Sequence, residues 1–225
     1  MTARGTPRQL ALALPHAESF AREDFLPGPS NQAALALIER WPDWPARAAA
    51  LIGPEGSGKS HLAAMWANSA GARFLAARAL GMTNLTSALA TGALVVEDLI
   101  PGQFDERALF HLINLAREEE AVLLLTAQTA PTGWRIALSD LVSRLRAIPS
   151  VMLSPPDDAL LRAVLIKLFA DRQLTVDESL IAYLTTRLER SFAAARAAVE
   201  TLDGEALRRK RPVTRALAAE VLKLG

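Results

Sequence analysis

The chain has 225 residues, of which 51% are hydrophobic and 22% are charged, a balance typical of a globular protein and not of a disordered one. Its net charge of +1 gives no overall electrostatic case for binding nucleic acid, and the absence of cysteine excludes disulfides and thiolate metal sites. Apolar runs are too short to span a bilayer and no signal-peptide pattern is present, so we expect a cytoplasmic protein without membrane attachment.

The first 30 residues are rich in proline and glycine and show little periodicity, which predicts an arm rather than a core element. A helix is predicted over residues 32–40. It ends before two closely spaced prolines, because proline lacks an N–H and disfavours a helix before it.

The sequence GPEGSGKS, residues 53–60, fits the pattern G-x-x-x-x-G-K-[ST] of a phosphate-binding loop. Its glycines allow backbone N–H groups to surround a phosphate, Lys59 can reach the β- and γ-phosphates, and the Ser60 hydroxyl can complete a Mg²⁺ shell. An apolar run precedes this phosphate loop and a helical pattern follows it, so the loop begins a helix, where anions are favoured. We therefore predict that a nucleoside di- or triphosphate binds here. The residues assigned to it in this segment are Gly53, Gly56, Ser57, Gly58, Lys59, Ser60 and His61.

Short apolar runs alternate with helical patterns up to residue 154, which predicts βαβ units and a parallel sheet. The predicted strands are 49–52, 73–76, 93–97, 122–126 and 148–153, and one of the helices between them covers 106–119. Beyond residue 154 only helical patterns occur: one covers 157–172, and others begin near Asp177, at Ser191 with an interruption at Gly204, and at Thr214. The chain therefore divides into an arm (1–30), an α/β domain (31–154) and a smaller all-helical lid (155–225).

Two acids, Glu97 and Asp98, end the third predicted strand. P-loop ATPases place a Mg²⁺-holding carboxylate and a water-orienting acid at this point, so we assign both to metal binding and catalysis together with Ser60. A glutamate at the first position moves its carboxylate by about 1.5 Å relative to aspartate, which affects hydrolysis more than binding. At the tip of the next strand, Thr126 or Gln128 can sense the γ-phosphate. An ordinary strand end with solvated side chains is the alternative for both tips.

This order of motifs resembles the AAA+ ATPases, and in detail the bacterial replication initiator DnaA and its shorter relatives of the Hda type. Residues 20–31, ending LPGPSN at Asn31, are similar to the segment of the family that lies against the adenine. Residues 141–145, LVSRL, match the family's arginine-finger box, which makes Arg144 the candidate finger. Arg190, expected to begin the third lid helix, stands where the family has a phosphate-sensing arginine. For either arginine, a plain surface role is the alternative.

Two features favour the Hda type over DnaA itself. DnaA continues into a helix-turn-helix domain, whereas this sequence ends at Gly225, directly after the lid. The segment QLALAL, residues 9–14, resembles the peptide with which Hda-type proteins bind the DNA sliding clamp. Its candidate contacts are Gln9, Leu10, Leu12 and Leu14. A leucine-rich arm without this role is the alternative.

The resemblance implies a negative regulator of replication initiation that holds ADP or ATP with Mg²⁺. It would bind the sliding clamp, the β subunit of DNA polymerase III, and stimulate ATP hydrolysis by DnaA through Arg144. Homo-oligomers are compatible with this class, and no sequence-specific DNA binding is expected. The departures from aspartate at Glu97 and Gln128 predict weak intrinsic hydrolysis.

Two rival functions are a conventional AAA+ ATPase acting as a loader or remodeller, and a small-molecule kinase, which the all-helical lid disfavours. The basic run 208–211 either touches DNA or is a solvated helix end, and positive charge is favourable at a helix C-terminus in any case.

Overall fold

A five-stranded, all-parallel sheet forms the centre of the structure, a computed structural model that describes residues 20–223. The strands are β1 (Ala48–Ile52), β2 (Arg73–Ala76), β3 (Ala93–Leu99), β4 (Val122–Ala127) and β5 (Ser150–Met152). They are arranged in the order β2-β3-β4-β1-β5. The predicted parallel sheet is confirmed, and β1 lies between two strands that follow it much later in the chain.

Helices cover both faces of the sheet, because alternate residues of each strand point to opposite sides. The helices of this part are α1 (Gln32–Glu39), α2 (Lys59–Ala70), α3 (Leu85–Ala88), α4 (Glu106–Glu118) and α5 (Ser139–Ala147). Ala49 and Leu51 of β1 pack in the apolar core that contains α1 and α2, while Ile52 packs in the core that contains α4 and α5. Packing in these two cores fixes the orientation of the sheet and so the position of the residues at the strand ends.

Three tryptophans form an aromatic cluster that includes a residue of α2. Trp66 of α2 is completely buried and stacks on Trp44 with ring centroids 5.1 Å apart, while Trp41 meets both rings edge-on. The Trp44 indole N–H donates to the carbonyl oxygen of Leu37 at 2.7 Å. Since α2 begins inside the phosphate loop, this cluster anchors the loop to the rest of the domain.

Four helices form the lid: α6 (Asp158–Asp171), α7 (Glu178–Arg187), α8 (Phe192–Arg209) and α9 (Arg215–Leu222). They enclose a separate apolar core, and no helix within residues 20–223 is long and apolar enough to cross a membrane. The side chains of Asp177, Ser191 and Thr214 each accept a hydrogen bond from the backbone N–H three residues on, so the three expected helix starts are confirmed.

The predicted interruption at Gly204 is wrong, because α8 runs through it. A glycine inside a helix costs about 1 kcal/mol relative to alanine. Leu202 and Ala206, on either side of Gly204, are buried in the lid core, and their packing outweighs that cost.

The lid contacts the phosphate loop through the backbone. The N–H of Phe192, the first residue of α8, donates to the carbonyl oxygen of Gly56 at 2.8 Å. Gly56 has φ +69°, and a Cβ there would lie 2.7 Å from the Cβ of Ser191. A second link joins Asp24, ahead of the sheet, to Lys167 of α6 in a half-buried ion pair of 2.6 Å. A side chain at position 56 would therefore press against the start of α8 and move the lid relative to the loop.

We predict that Gly56→Ala lowers the free energy of unfolding more than Gly71→Ala does. Both glycines have a left-handed backbone, which costs an alanine about 1–2 kcal/mol, but a Cβ at Gly71 meets nothing within 4 Å. The extra loss at Gly56 is the displacement of Ser191. Urea unfolding of the two variants measures the difference, and equal losses would contradict the close approach of lid and loop.

Candidate functional site

The carboxyl ends of β1, β3 and β4 meet at one edge of the sheet and open into a cleft of about 500 Å³. Crevices outside the carboxyl ends of parallel strands are where open α/β sheets bind ligands. The lid contributes one wall. The cleft is lined by Phe20, Glu55, Gly56, Gly58, Lys59, Ser60, His61, Asp98, Ile100, Gln128, Phe192, Ala193 and Arg196.

The phosphate loop is fixed at both ends. The Gly53 N–H donates to the Ala127 carbonyl oxygen of β4 at 3.0 Å, and Gly58, with φ +98°, is the N-cap residue of α2. Ser57 is buried inside the loop, and a Cβ at Gly53 would lie 3.0 Å from its hydroxyl oxygen. The predicted strand–loop–helix context of the motif is present.

The Lys59 side chain lies inside the loop, and the residue as a whole is only 8% exposed. It donates to the carbonyl oxygens of Gly53 at 2.9 Å and Pro54 at 2.8 Å. Burial lowers the pKa of Lys59, and the neighbouring carboxylates of Asp98 and Glu55 act in the opposite direction. A buried cation held by neutral carbonyls is suited to an anionic ligand, which offsets the cost of taking its charge out of water.

Ser60 of α2 and Glu97 of β3 lie close enough to influence each other, although Ser60 lines the cleft and Glu97 does not. Burial raises the pKa of Glu97, the Ser60 hydrogen bond lowers it, and Asp98 raises it. Within the described residues no group of three or more His, Cys, Asp or Glu side chains is placed to hold a metal. Ser60 and Glu97 fit Mg²⁺ in another way, because Mg²⁺ commonly takes one or two protein oxygens and completes its shell with phosphate and water.

Asp98 lines the cleft and has an unusual backbone conformation. Its φ is +59°, and the pairing of β3 with β4 shifts register between Val96 and Leu99. The Asp98 N–H donates to the hydroxyl oxygen of Thr126 at 3.0 Å, and Thr126 is 1% exposed. Thr126 therefore positions Asp98 from inside the sheet and does not line the cleft. Of the two residues expected as γ-phosphate sensors, the cleft contains only Gln128.

The structure brings Arg196, and not Arg190, to the cleft. Arg190 lies in the turn before the N-cap Ser191, outside the helix it was expected to begin, and pairs with Asp158 at 2.9 Å. Arg196 lies one turn after Phe192 on the same helix face, and both line the cleft. The sequence could have indicated Arg196. A helix that starts at Ser191 places residues 192 and 196 one turn apart on the same face.

Asn31 holds a turn and does not line the cleft. Its side-chain oxygen accepts from the Gly28 N–H at 2.8 Å, its amide donates to the Leu26 carbonyl oxygen at 3.0 Å, and the residue is 1% exposed. The expected nucleotide contact at Asn31 is thus replaced by a structural role, because both ends of its amide are engaged by the backbone of residues 26–28.

His61 does line the cleft. Its Nε2 is 3.1 Å from the Ala21 carbonyl oxygen, and its ring meets Phe20 and Phe25 edge-on at 5.4 and 5.2 Å. His61 therefore joins the first described residues of the chain to the phosphate loop.

Arg144 lies apart from the cleft, exposed on α5 and without a hydrogen-bond or ion-pair partner among residues 20–223. The Glu106 carboxylate accepts from the N–H groups of Ala137 and Leu138, which fixes the start of α5. The clamp-peptide residues Gln9, Leu10, Leu12 and Leu14 lie outside the described residues.

The comparisons with known proteins concern the fold. No protein-family model and no curated protein matches the chain. Domain III of the Thermotoga maritima replication initiation protein DnaA superimposes with a TM-score of 0.76 at 18% identity, over 91% of this chain and 95% of that one. DnaA from Aquifex aeolicus with AMPPCP gives 0.68 at 18% identity, over 84% and 67%. The Thermotoga maritima RuvB Holliday junction branch migration motor gives 0.66 at 15% identity, over 87% and 69%.

These likenesses establish the fold. The chain has the AAA+ P-loop NTPase fold of DnaA domain III and RuvB, a parallel sheet followed by a helical lid. It spans about two thirds of the length of the longer DnaA structures.

We predict that Thr126→Val weakens nucleotide binding in the presence of Mg²⁺ by about tenfold and leaves binding in EDTA nearly unchanged. Valine keeps the shape of threonine but leaves the Asp98 N–H unpaired, at a cost of about 1–3 kcal/mol, which loosens the end of β3 that carries Glu97 and Asp98. Thr126→Ser keeps the acceptor and should restore the Mg²⁺ dependence. Calorimetric titrations with ADP test this, and an equal loss with and without Mg²⁺ would show a general packing defect instead.

Proposed function

We propose that the chain binds an adenine nucleotide with Mg²⁺ in this cleft and works as an AAA+ protein in DNA replication or recombination. The observation that carries the proposal is the convergence of the phosphate loop, Ser60, Asp98 and Arg196 on one cleft. The binding of AMPPCP by DnaA proteins of the same fold supports it.

Each group has a chemical task in this proposal. Backbone N–H groups of the phosphate loop bind phosphate oxygens, and the Lys59 ammonium exchanges its carbonyl partners for them. Ser60 and Glu97 hold Mg²⁺, which neutralises charge on the phosphates. Asp98 orients a water, and Arg196 reaches the phosphates from the lid. Gln128 can donate a hydrogen bond to a terminal phosphate without adding charge.

The matched pair of lid arginines tests this assignment. We predict that Arg196→Ala and Lys59→Ala each weaken ADP binding at least tenfold, about 1.4 kcal/mol, because each removes a cation that lines the cleft. Arg190→Ala removes a cation only six residues away and should bind ADP as the unmodified chain does. Calorimetry giving equal affinities for all four proteins would refute the cleft as the nucleotide site.

We further propose that the chain is a negative regulator of replication initiation that activates hydrolysis in a partner. The exposed position of Arg144 supports this, since a guanidinium on the outside of α5 and away from its own cleft is free to reach a neighbouring subunit. Such a finger increases the rate of hydrolysis about 10³–10⁵-fold by neutralising transition-state charge. The partner would be DnaA, and residues 9–14 would recruit the sliding clamp.

The second candidate is a self-sufficient ATPase that loads or remodels a replication complex. Its support is the acidic pair itself, since Glu97 lies close to Ser60 and Asp98 lines the cleft as in a hydrolytic site. The two functions differ in turnover by the chain alone. The regulator should hydrolyse ATP more slowly than about 1 per second, at the low end of typical enzymes, because Glu97 and Gln128 replace aspartates.

For the regulator, we predict that Arg144→Ala keeps ADP and clamp binding but loses nearly all stimulation of DnaA. Removing the guanidinium raises the barrier to hydrolysis without altering the docking surfaces, and Arg144→Lys should restore little, because an ammonium lacks the planar fork. The assay follows ATP hydrolysis by DnaA with clamp loaded on DNA.

Two controls separate the roles. Arg146→Ala removes another arginine of α5 and should stimulate normally, while Gln9→Ala with Leu12→Ala and Leu14→Ala should fail at clamp binding. Full stimulation by Arg144→Ala would end the proposal of a finger acting on a partner.

A further inference from the structure

Two arginines of the lid share one tyrosine ring. The guanidinium carbon of Arg187, in the last turn of α7, lies 4.6 Å from the centroid of the Tyr183 ring, and that of Arg215, the first residue of α9, lies 5.6 Å from it. Tyr183 is only 8% exposed and packs in the lid core, so its ring is a rigid support. We call these three residues the Arg–Tyr–Arg cluster.

The two cations of the cluster are not neutralised locally. Within residues 20–223, neither Arg187 nor Arg215 forms an ion pair, although both are exposed. The carboxylates near the end of α8 are already engaged: Glu205 pairs with Arg208 and Arg209, and Glu220 with Arg209 and Arg211. The Tyr183 ring therefore holds two exposed guanidinium groups near each other, and neither is paired with a carboxylate of the described residues.

A further basic residue lies close to the cluster in sequence. Lys210, at the C-cap of α8, has no ion-pair partner in the described part of the chain and stands five residues before Arg215. The net charge of the whole chain is only +1, because acidic residues elsewhere in the chain cancel the positive charge of these residues in the sum. The sequence made Arg208 and Arg209 candidates for DNA contact. They add little positive charge to this surface, because they form ion pairs with Glu205 and Glu220.

We propose that the Arg–Tyr–Arg cluster, with Lys210, binds the phosphate backbone of double-stranded DNA without reading its sequence. An extended polyanion fits better than a single small phosphate compound, because both arginines are exposed and the cluster does not line the nucleotide cleft. Guanidinium groups are suited to phosphate oxygens, which they bind through two parallel hydrogen bonds. The surface would hold the lid on DNA independently of the nucleotide cleft.

Fluorescence anisotropy with a short labelled duplex, measured over a range of salt concentrations, tests the proposal. The slope of log affinity against log salt counts phosphate contacts, at about one unit per cation removed. The double variant Arg187→Gln/Arg215→Gln should make the slope less negative by about 2 and weaken binding at least tenfold at a fixed moderate salt concentration. Arg187→Lys/Arg215→Lys should keep most of the slope, because it keeps the charge.

The matched control is Arg107→Gln/Arg117→Gln, which removes two exposed arginines of α4, equally without ion-pair partners among the described residues. It should leave the slope unchanged. ADP affinity should be the same in all these variants, so a failure here is distinguishable from a failure of the nucleotide site.

Three results would overturn the proposal. They are equal slopes for the cluster variant and the unmodified chain, no binding to the duplex at low salt, and binding to a polyglutamate peptide as tight as to DNA. The last would assign the surface to an acidic protein.

Discussion

Burial of the Lys59 ammonium inside its own loop is the interaction on which the rest of the site depends. A largely buried lysine whose ammonium is held by two carbonyl oxygens requires a loop that curls around it, and that loop has a positive φ at Gly56 and Gly58. β1 and β4 fix the start of the loop and the tryptophan cluster fixes its continuation into α2. The cleft lies between this loop, the ends of β3 and β4, and the lid.

Local patterns in the sequence predict most of the fold and part of the site. The strands, the phosphate loop and the starts of the lid helices follow from apolar runs, glycine spacing and capping residues, all of which act over a few positions. The course of α8 through Gly204 is different, because it depends on packing of the lid core around Leu202 and Ala206, which no local pattern shows.

The remaining site residues depend on where elements meet. Arg196 and not Arg190 lines the cleft because of the way α8 packs against the loop. Asn31 is kept out of the cleft by its two hydrogen bonds to residues 26–28. The hydrogen bond from Asp98 to Thr126 joins two residues that are 28 positions apart in sequence and lie on neighbouring strands. Such contacts are set by register and crossing geometry, and periodicity carries no information on them.

The bond between the Phe192 N–H and the Gly56 carbonyl oxygen joins two backbones, which gives it a property that side-chain contacts lack. Exchanging the Phe192 side chain leaves this bond in place, whereas a side chain added at position 56 would press on Ser191 and disturb it. Any rearrangement of the loop around a ligand must therefore stretch this link or carry α8 along. The eighteen-residue rod of α8 would convert a small movement at its base into a larger displacement at its far end, next to Lys210.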